Sequence, residues 1–330
     1  MSAFRSRSPL AVALLTAAII WVAWAIGLFL YADLGVVARN YFMSVTMVAG
    51  SFIAGATSEG GGAVAFPVMT LVFKIAPAVA RDFSLMIQTV GMGAATLTIL
   101  AMGVPVVWRA LLWCSIGGAL GIVLGIEVVA PMLPPPFAKM LFLSTWLAFA
   151  VALYLINKHR AREVHEQIPL ASRRDDLALF LVGIIGGTIS GITGSGLDIT
   201  TFSLLVLAMR VSESVATPTS VILMAINASV GFLWKSTFGE GMAPEAWDYW
   251  WACVPIVVIG APAGARFIRD RSRLFVAGIL YVSIGVQFIA GLLIIPQTRA
   301  LLLFSSCAFL LGLGLFRGMS SLGNSRLGAR

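Results

Sequence analysis

Charge is scarce in this sequence. Only 11% of its 330 residues are Asp, Glu, Lys or Arg and 59% are hydrophobic, whereas a soluble domain carries about 25% charged residues. That shortage excludes an ordinary soluble globule. Histidine is almost missing: His159 and His165 lie in a polar linker, without metal-ligand spacing. Cysteine is nearly as rare. Cys114, Cys253 and Cys307 fall inside apolar segments, so they read as small interior residues and neither as a disulfide set nor as a metal site. No nucleophile elbow, phosphate loop or HExxH helix occurs. The stretch GITGSGLD (191–198) lacks the Lys and the strand context of a phosphate loop. No enzyme chemistry, metal or cofactor is expected. The net charge of +8 sits in short loops with no RNA-binding signature, so no nucleic-acid partner is expected either. In a membrane chain such residues set orientation.

What the sequence does have is length in its apolar runs. Segments 9–31, 80–103, 107–130, 137–157, 213–234, 248–266, 274–295 and 299–316 are each long enough, at roughly 18 residues or more, to cross a bilayer. The short alternating segments of a β-barrel are missing. The first run contains Trp21 and Trp24 and exceeds the roughly 7–15 residues of a signal-peptide core, so it reads as an uncleaved first span. Four segments fall at or below that length: 42–57 with 62–74, and 177–194 with 198–209. Each short pair meets at a polar, glycine-rich break.

The two halves of the chain resemble each other. At an offset of 136, Ile53, Gly55, Thr57, Gly60, Phe66, Leu71 and Ser84 fall on Ile189, Gly191, Thr193, Gly196, Phe202, Leu207 and Ser220, and Lys74 falls on Arg210. Three residues more in one loop bring Trp108, Cys114, Gly121 and Gly125 onto Trp247, Cys253, Gly260 and Gly264. Internal repeats of this kind mark transporters. The glycine rows Gly117, Gly121, Gly125 and Gly260, Gly264 have the spacing that lets helices approach closely, within the chain or in a dimer.

Charge gives the topology. The linker 158–176, with Lys158, Arg160, Arg162, Arg173 and Arg174, and the loop with Arg266, Arg269, Arg271 and Arg273 should both be cytoplasmic. They share a side if each short pair is a re-entrant hairpin that returns to the face it entered. The expected fold is therefore an all-α polytopic membrane protein. It has an inverted repeat, about eight membrane crossings, two re-entrant half-helix hairpins and both termini in the cytoplasm. Residues 1–35 hold the first span, 36–157 the first repeat, 158–176 the linker, 177–297 the second repeat and 298–330 the last span and tail.

Irregular backbone at membrane depth is tolerated only inside protein or around a wet cavity. The breaks Thr57-Ser58-Glu59-Gly60-Gly61-Gly62 and Thr193-Gly194-Ser195-Gly196-Leu197-Asp198 thus mark a site. The half-helices leaving them, starting near Ala63 and Ile199, would offer free N–H groups and a positive dipole end to an anion. Glu59 and Asp198 leave two readings open. Each either carries a proton that couples transport or caps its own half-helix. Gln88, Thr89, Asn227 and Ser229 either bridge helices or line the pocket. Arg81 either starts a helix or draws anions to the entrance.

Gly55–Pro67 (GATSEGGGAVAFP) and Gly187–Phe202 (GTISGITGSGLDITTF), with the crossings that follow each, resemble the sulfite exporter TauE/SafE family of anion transporters. In the second copy Leu197 and Asp198 replace two glycines, and Ser203 stands where Pro67 does, so a strictly symmetric site is not expected. The resemblance implies a bacterial cytoplasmic-membrane transporter of sulfite or organosulfonates, among them 2-hydroxyethylsulfonate. The sulfonate oxygens would meet the breaks, and a carbon tail would meet Phe66 and Phe202. A homodimer is compatible with the resemblance. A passive anion channel, or a transporter of a non-sulfur anion, is the alternative.

Overall fold

The computed structural model describes residues 8–58, 60–157, 165–168, 172–269 and 271–328. Among them no β-strand occurs. A single bridge pairs His165 with Val211. There the His165 N–H donates to the Arg210 carbonyl (2.8 Å) and its carbonyl accepts from Ser212 (2.8 Å), so the linker backbone is docked on the second half at this point.

The helices are α1 (Pro9–Tyr31), α2 (Val36–Arg39), α3 (Tyr41–Ala56), α4 (Gly60–Pro67), α5 (Pro77–Met102), α6 (Trp108–Leu124) and α7 (Ala130–Met132). There follow α8 (Pro135–Asn157), α9 (Arg173–Thr193), α10 (Leu197–Ser203), α11 (Glu213–Thr237), α12 (Pro244–Ile268), α13 (Arg273–Ile294) and α14 (Arg299–Gly328). Among the described residues nine helices are long and apolar enough to cross a membrane, one more than the sequence segments give. The difference is α9, at 21 residues. Its start lies in the charged Arg173–Asp176 turn because the Asp175 carboxylate accepts from the Ser172 N–H (2.8 Å) and hydroxyl (3.0 Å). That is the reciprocal cap that fixes a helix start in polar sequence.

Elements recur at the 136-residue offset. α5 begins at Pro77 and α11 at Glu213. α4 runs into a π-helical turn at Val68–Val72 and α10 into one at Leu204–Ala208. Both turns close alike. Phe73 and Ile75 donate to Val68 and Met69, and Met209 and Val211 donate to Leu204 and Leu205, at 2.9–3.2 Å. Between the closing bonds stand Lys74 (φ 55°) and Arg210 (φ 56°), both left-handed. Pro67 precedes the first π turn and Ser203 the second, so proline does not make the turn.

Glycines bring the halves together. Gly117 and Gly121 on α6, and Gly125 just past its end, lie against the carbonyls of Phe180, Ile184 and Thr188 of α9, too close for a Cβ. On α12, Gly260 and Gly264 lie in the same way against Ser51 and Phe52 of α3. Both glycine rows expected to pack closely are thus filled by helices of the same chain. Each pair runs parallel: residue numbers rise together from Gly117–Phe180 to Gly125–Thr188, and from Ser44–Ala252 (2.8 Å) to Phe52–Gly264.

These contacts define two ends of the molecule. At one, Asp82 near the start of α5 meets Lys235 near the end of α11 and the Ala243 N–H before α12. At the other, Arg109 of α6 pairs with Asp176 of α9 (2.8 Å for the longer bond), and the Val107 N–H donates to Thr219 of α11 (3.0 Å). Hence α3, parallel to α12, and α5 begin at the first end. α9 and α11 begin at the second. α4 packs back on α3, and α10 packs back on α9.

Candidate functional site

The two breaks meet. Gly60, left-handed at φ 72°, opens α4, and a Cβ there would run into the Asp198 carboxylate, lie 2.8 Å from Ser195 Oγ and 2.9 Å from Gln88 Oε1. Glycine is the residue that allows both the backbone conformation and the approach. Gln88 of α5 ties the junction from the side: its Nε2 donates to the Gly194 carbonyl (2.7 Å) and to the Ser84 carbonyl (2.9 Å). Gly194, φ 85°, ends α9, and its α-carbon faces Ser84 and the Arg81 carbonyl of α5. So Gly60, Gln88, Gly194, Ser195 and Asp198 form one cluster, built from both halves.

The cluster is buried and polar. Thr57, Ser58, Thr193, Ser195 and Asp198 are wholly buried. Thr57 donates to the Ile53 carbonyl (2.9 Å), and Thr193 to those of Ile189 (3.1 Å) and Ser195 (2.8 Å). Ser58 Oγ, Ser84 Oγ and Gln88 Oε1 are buried with no hydrogen-bond partner among the described residues. Atoms of that kind carry a desolvation cost of about 1–3 kcal/mol each when left unmatched, which a polar ligand would offset.

The second break differs from the sequence expectation of free helix N–H groups. The Leu197 N–H donates to Ser190 Oγ (3.0 Å), and the Ile199 N–H to Asp198 Oδ1 (2.9 Å). Ser195 donates to Asp198 Oδ2 (3.1 Å). The α10 terminus is therefore capped by the protein itself. Among the described residues no cation pairs with Asp198. Glu59, the other carboxylate singled out, lies outside the described residues. Gly61 and Gly62 follow Gly60 in α4, and Gly196 precedes α10.

Four candidates sit apart from the junction. Asn227 lies against Gly118 of α6, its two amide atoms without a hydrogen-bond partner among the described residues. Phe66 and Phe202 pack on α8, their rings 5.4 Å from Phe142 and 5.9 Å from Phe149. Arg81 is buried, donating from Nε (3.0 Å) and Nη2 (2.9 Å) to Asp82 Oδ1.

Sequence reasoning gave no role to Ser190 or Lys235. Ser190 carries no local signal. Lys235 did carry one, since ionisable residues in or beside a membrane helix are rare and usually partnered.

The family model described as Sulfite exporter TauE/SafE matches residues 42–288, which includes both breaks and every helix from α3 to α12. No curated protein matches the chain. No solved structure matches it. With both breaks, the glycine-packed helices and most of its length inside that match, the chain belongs to the sulfite exporter TauE/SafE family, a family of multi-pass membrane transporters.

Proposed function

We propose that this protein is a secondary transporter of small sulfur oxyanions, sulfonates such as 2-hydroxyethylsulfonate or sulfite, across the bacterial cytoplasmic membrane. The observation that carries the reading is the meeting of Gly60 from one half with Ser195 and Asp198 from the other, beside the Ser58 and Ser84 hydroxyls, which have no hydrogen-bond partner among the described residues. Hydroxyl groups donate to anionic oxygens. In the transport cycle the anion sits between the two breaks, and rocking of one half against the other exposes it to each face in turn.

The two halves act as an inverted repeat, and each break is the tip of a re-entrant hairpin. Three facts support this. α3 and α5 begin at one end, and α9 and α11 at the other. α4 and α10 pack back on α3 and α9. At a rise of 1.5 Å per residue, α3 spans about 24 Å, short of the ~30 Å hydrocarbon layer. The end with the linker and the Arg266–Arg273 loop is the cytoplasmic one by its charge, and both termini then lie on that side.

A carboxylate at the junction repels an anion unless it is protonated. Asp198 thus doubles as helix cap and proton carrier, and Glu59 is the second candidate for coupling. The test is uptake of labelled 2-hydroxyethylsulfonate and sulfite into proteoliposomes, with and without an inward proton gradient, for wild type, Asp198→Asn and Glu59→Gln. Saturable, gradient-driven uptake that loses its gradient dependence in Asp198→Asn is the expected result. Non-saturable, gradient-independent flux in all three proteins would make the chain a passive channel.

A further inference from the structure

At the end of the molecule where α5 and α12 begin, one carboxylate serves two cations. Asp82 is 1% exposed. Its Oδ1 accepts both bonds from Arg81. Its Oδ2 accepts from Lys235 and from the Ala243 N–H (3.0 Å). Among the described residues the carboxylate is saturated, while each cation has donors that nothing accepts. A guanidinium has five N–H donors and an ammonium three. Arg81 commits two of its five and Lys235 one of its three. The Arg81 and Lys235 side chains are 9% and 13% exposed. Among the described residues no second carboxylate pairs with either. A nearly buried group of two positive charges and one negative charge favours an added anion, because an uncompensated charge away from water is costly.

Its place in the fold gives the surplus a direction. The Arg81 carbonyl is 3.0 Å from where a Cβ of Gly194 would stand, and Ser84, one turn on, touches the same glycine. Gln88, two turns from Arg81, holds the Gly194 carbonyl. Two helical turns are about 11 Å. The charged group therefore stands one short step from the junction, on the helix that ties it.

We propose that Arg81 and Lys235 form an oxyanion-docking station at this end, and that Asp82 is the resident carboxylate with which an arriving anion competes. Planar Arg donors and a Lys point charge suit small oxyanions of either shape, a planar carboxylate or a three-oxygen sulfonate. The station rests on the transport reading for its purpose, but its binding is measured without transport. Lys235 and Asp82 lie in different halves, so an anion that takes the Lys235 ammonium also loosens a bond across them.

The experiment is thermal unfolding of the detergent-purified protein against rising methanesulfonate, acetate and phosphate. It compares wild type, Asp82→Asn, Lys235→Gln and the double variant Asp82→Asn/Lys235→Gln. Removing the resident carboxylate should tighten apparent binding of at least one oxyanion by about tenfold, and removing Lys235 should weaken it by a similar factor. The double variant, with the wild-type net charge at the station, should fall between them. A purely structural Asp82 predicts the opposite sign: Asp82→Asn melts lower and binds no anion more tightly. That result, or equal binding by all variants, overturns the station. If Asp82→Asn does not fold, the station stands or falls on whether Lys235→Gln weakens binding. Binding of acetate or phosphate but not methanesulfonate keeps the station and removes the sulfur-oxyanion reading. Unaltered binding with intact sulfonate uptake does the reverse.

Discussion

The two breaks occupy corresponding positions but are built differently. In the first, α3 ends at Ala56 with Thr57 extended, and the left-handed residue is Gly60, at the start of the next helix. In the second, the left-handed residue is Gly194, at the end of α9. At the 136 offset these are not equivalent, since Gly60 corresponds to Gly196 and Gly194 to Ser58. The second break also caps its own half-helix through Ser190 and Asp198. Where Asp198 stands, the first break has Gly62. One break is thus closed by its own side chains. The other offers close backbone approach through a glycine run. In the proposed cycle the pair would hold one anion asymmetrically, with donors from the glycine side and a carboxylate from the capped side.

The largest effect should come from filling the glycine side. Gly60→Val places a branched side chain against Asp198, Ser195 and Gln88 and forces it into a left-handed backbone that costs about 1–2 kcal/mol. Uptake should fall to background while the protein still elutes as a folded species, because the packing of α6 on α9 and of α12 on α3 does not involve this residue. Wild-type uptake at normal expression would remove the junction from the transport path and erase the functional difference between the breaks.

A middle-sized effect should follow from making the two sides more alike. Gln88 corresponds to Met224. Gln88 reaches across to Gly194, whereas the Met224 sulfur accepts only a long contact from Ser190 within its own half (3.9 Å). Gln88→Met removes the bond across the halves and leaves the Gly194 carbonyl without it, a loss of about 1–3 kcal/mol for a buried group. The expected outcome is a lower unfolding temperature and a raised KM for sulfonate, with kcat less affected. A change in unfolding temperature with KM untouched would make Gln88 a strut only.

Much of this was legible in the sequence, for a physical reason. Apolar length, basic loops and glycine runs act one residue at a time, so the spans, the breaks and the close-packing glycines could be read directly. What could not be read depends on which residues meet. Ser190, one hydroxyl in an apolar segment, caps a terminus seven residues later. Asp82 and Lys235 sit far apart in sequence and are joined only by the crossing of α5 with α11. Asn227 looks equivalent to Gln88 by polarity but faces Gly118 on another helix. The start of α9 was missed by four residues because its cap lies in charged sequence that a search for apolar length passes over.

The smallest effect concerns the ends of the half-helices, where the two sides look most alike. Lys74 and Arg210 share a left-handed backbone near φ 55°, a conformation that disfavours any residue with a Cβ. Their surroundings differ. Arg210 is 6% exposed and its carbonyl accepts from His165, whereas Lys74 is exposed. Lys74→Gly therefore relieves strain and forfeits little packing, offset in part by the added freedom of the unfolded chain. It should leave the unfolding temperature unchanged or raise it by the equivalent of up to about 1 kcal/mol. Arg210→Gly relieves the same strain but removes a long buried side chain, and should lower it. Equal shifts of the same sign in both variants would mean that backbone conformation alone governs these turns, and that the burial of Arg210 and the docking of His165 beside it contribute nothing to holding the second half-helix in place.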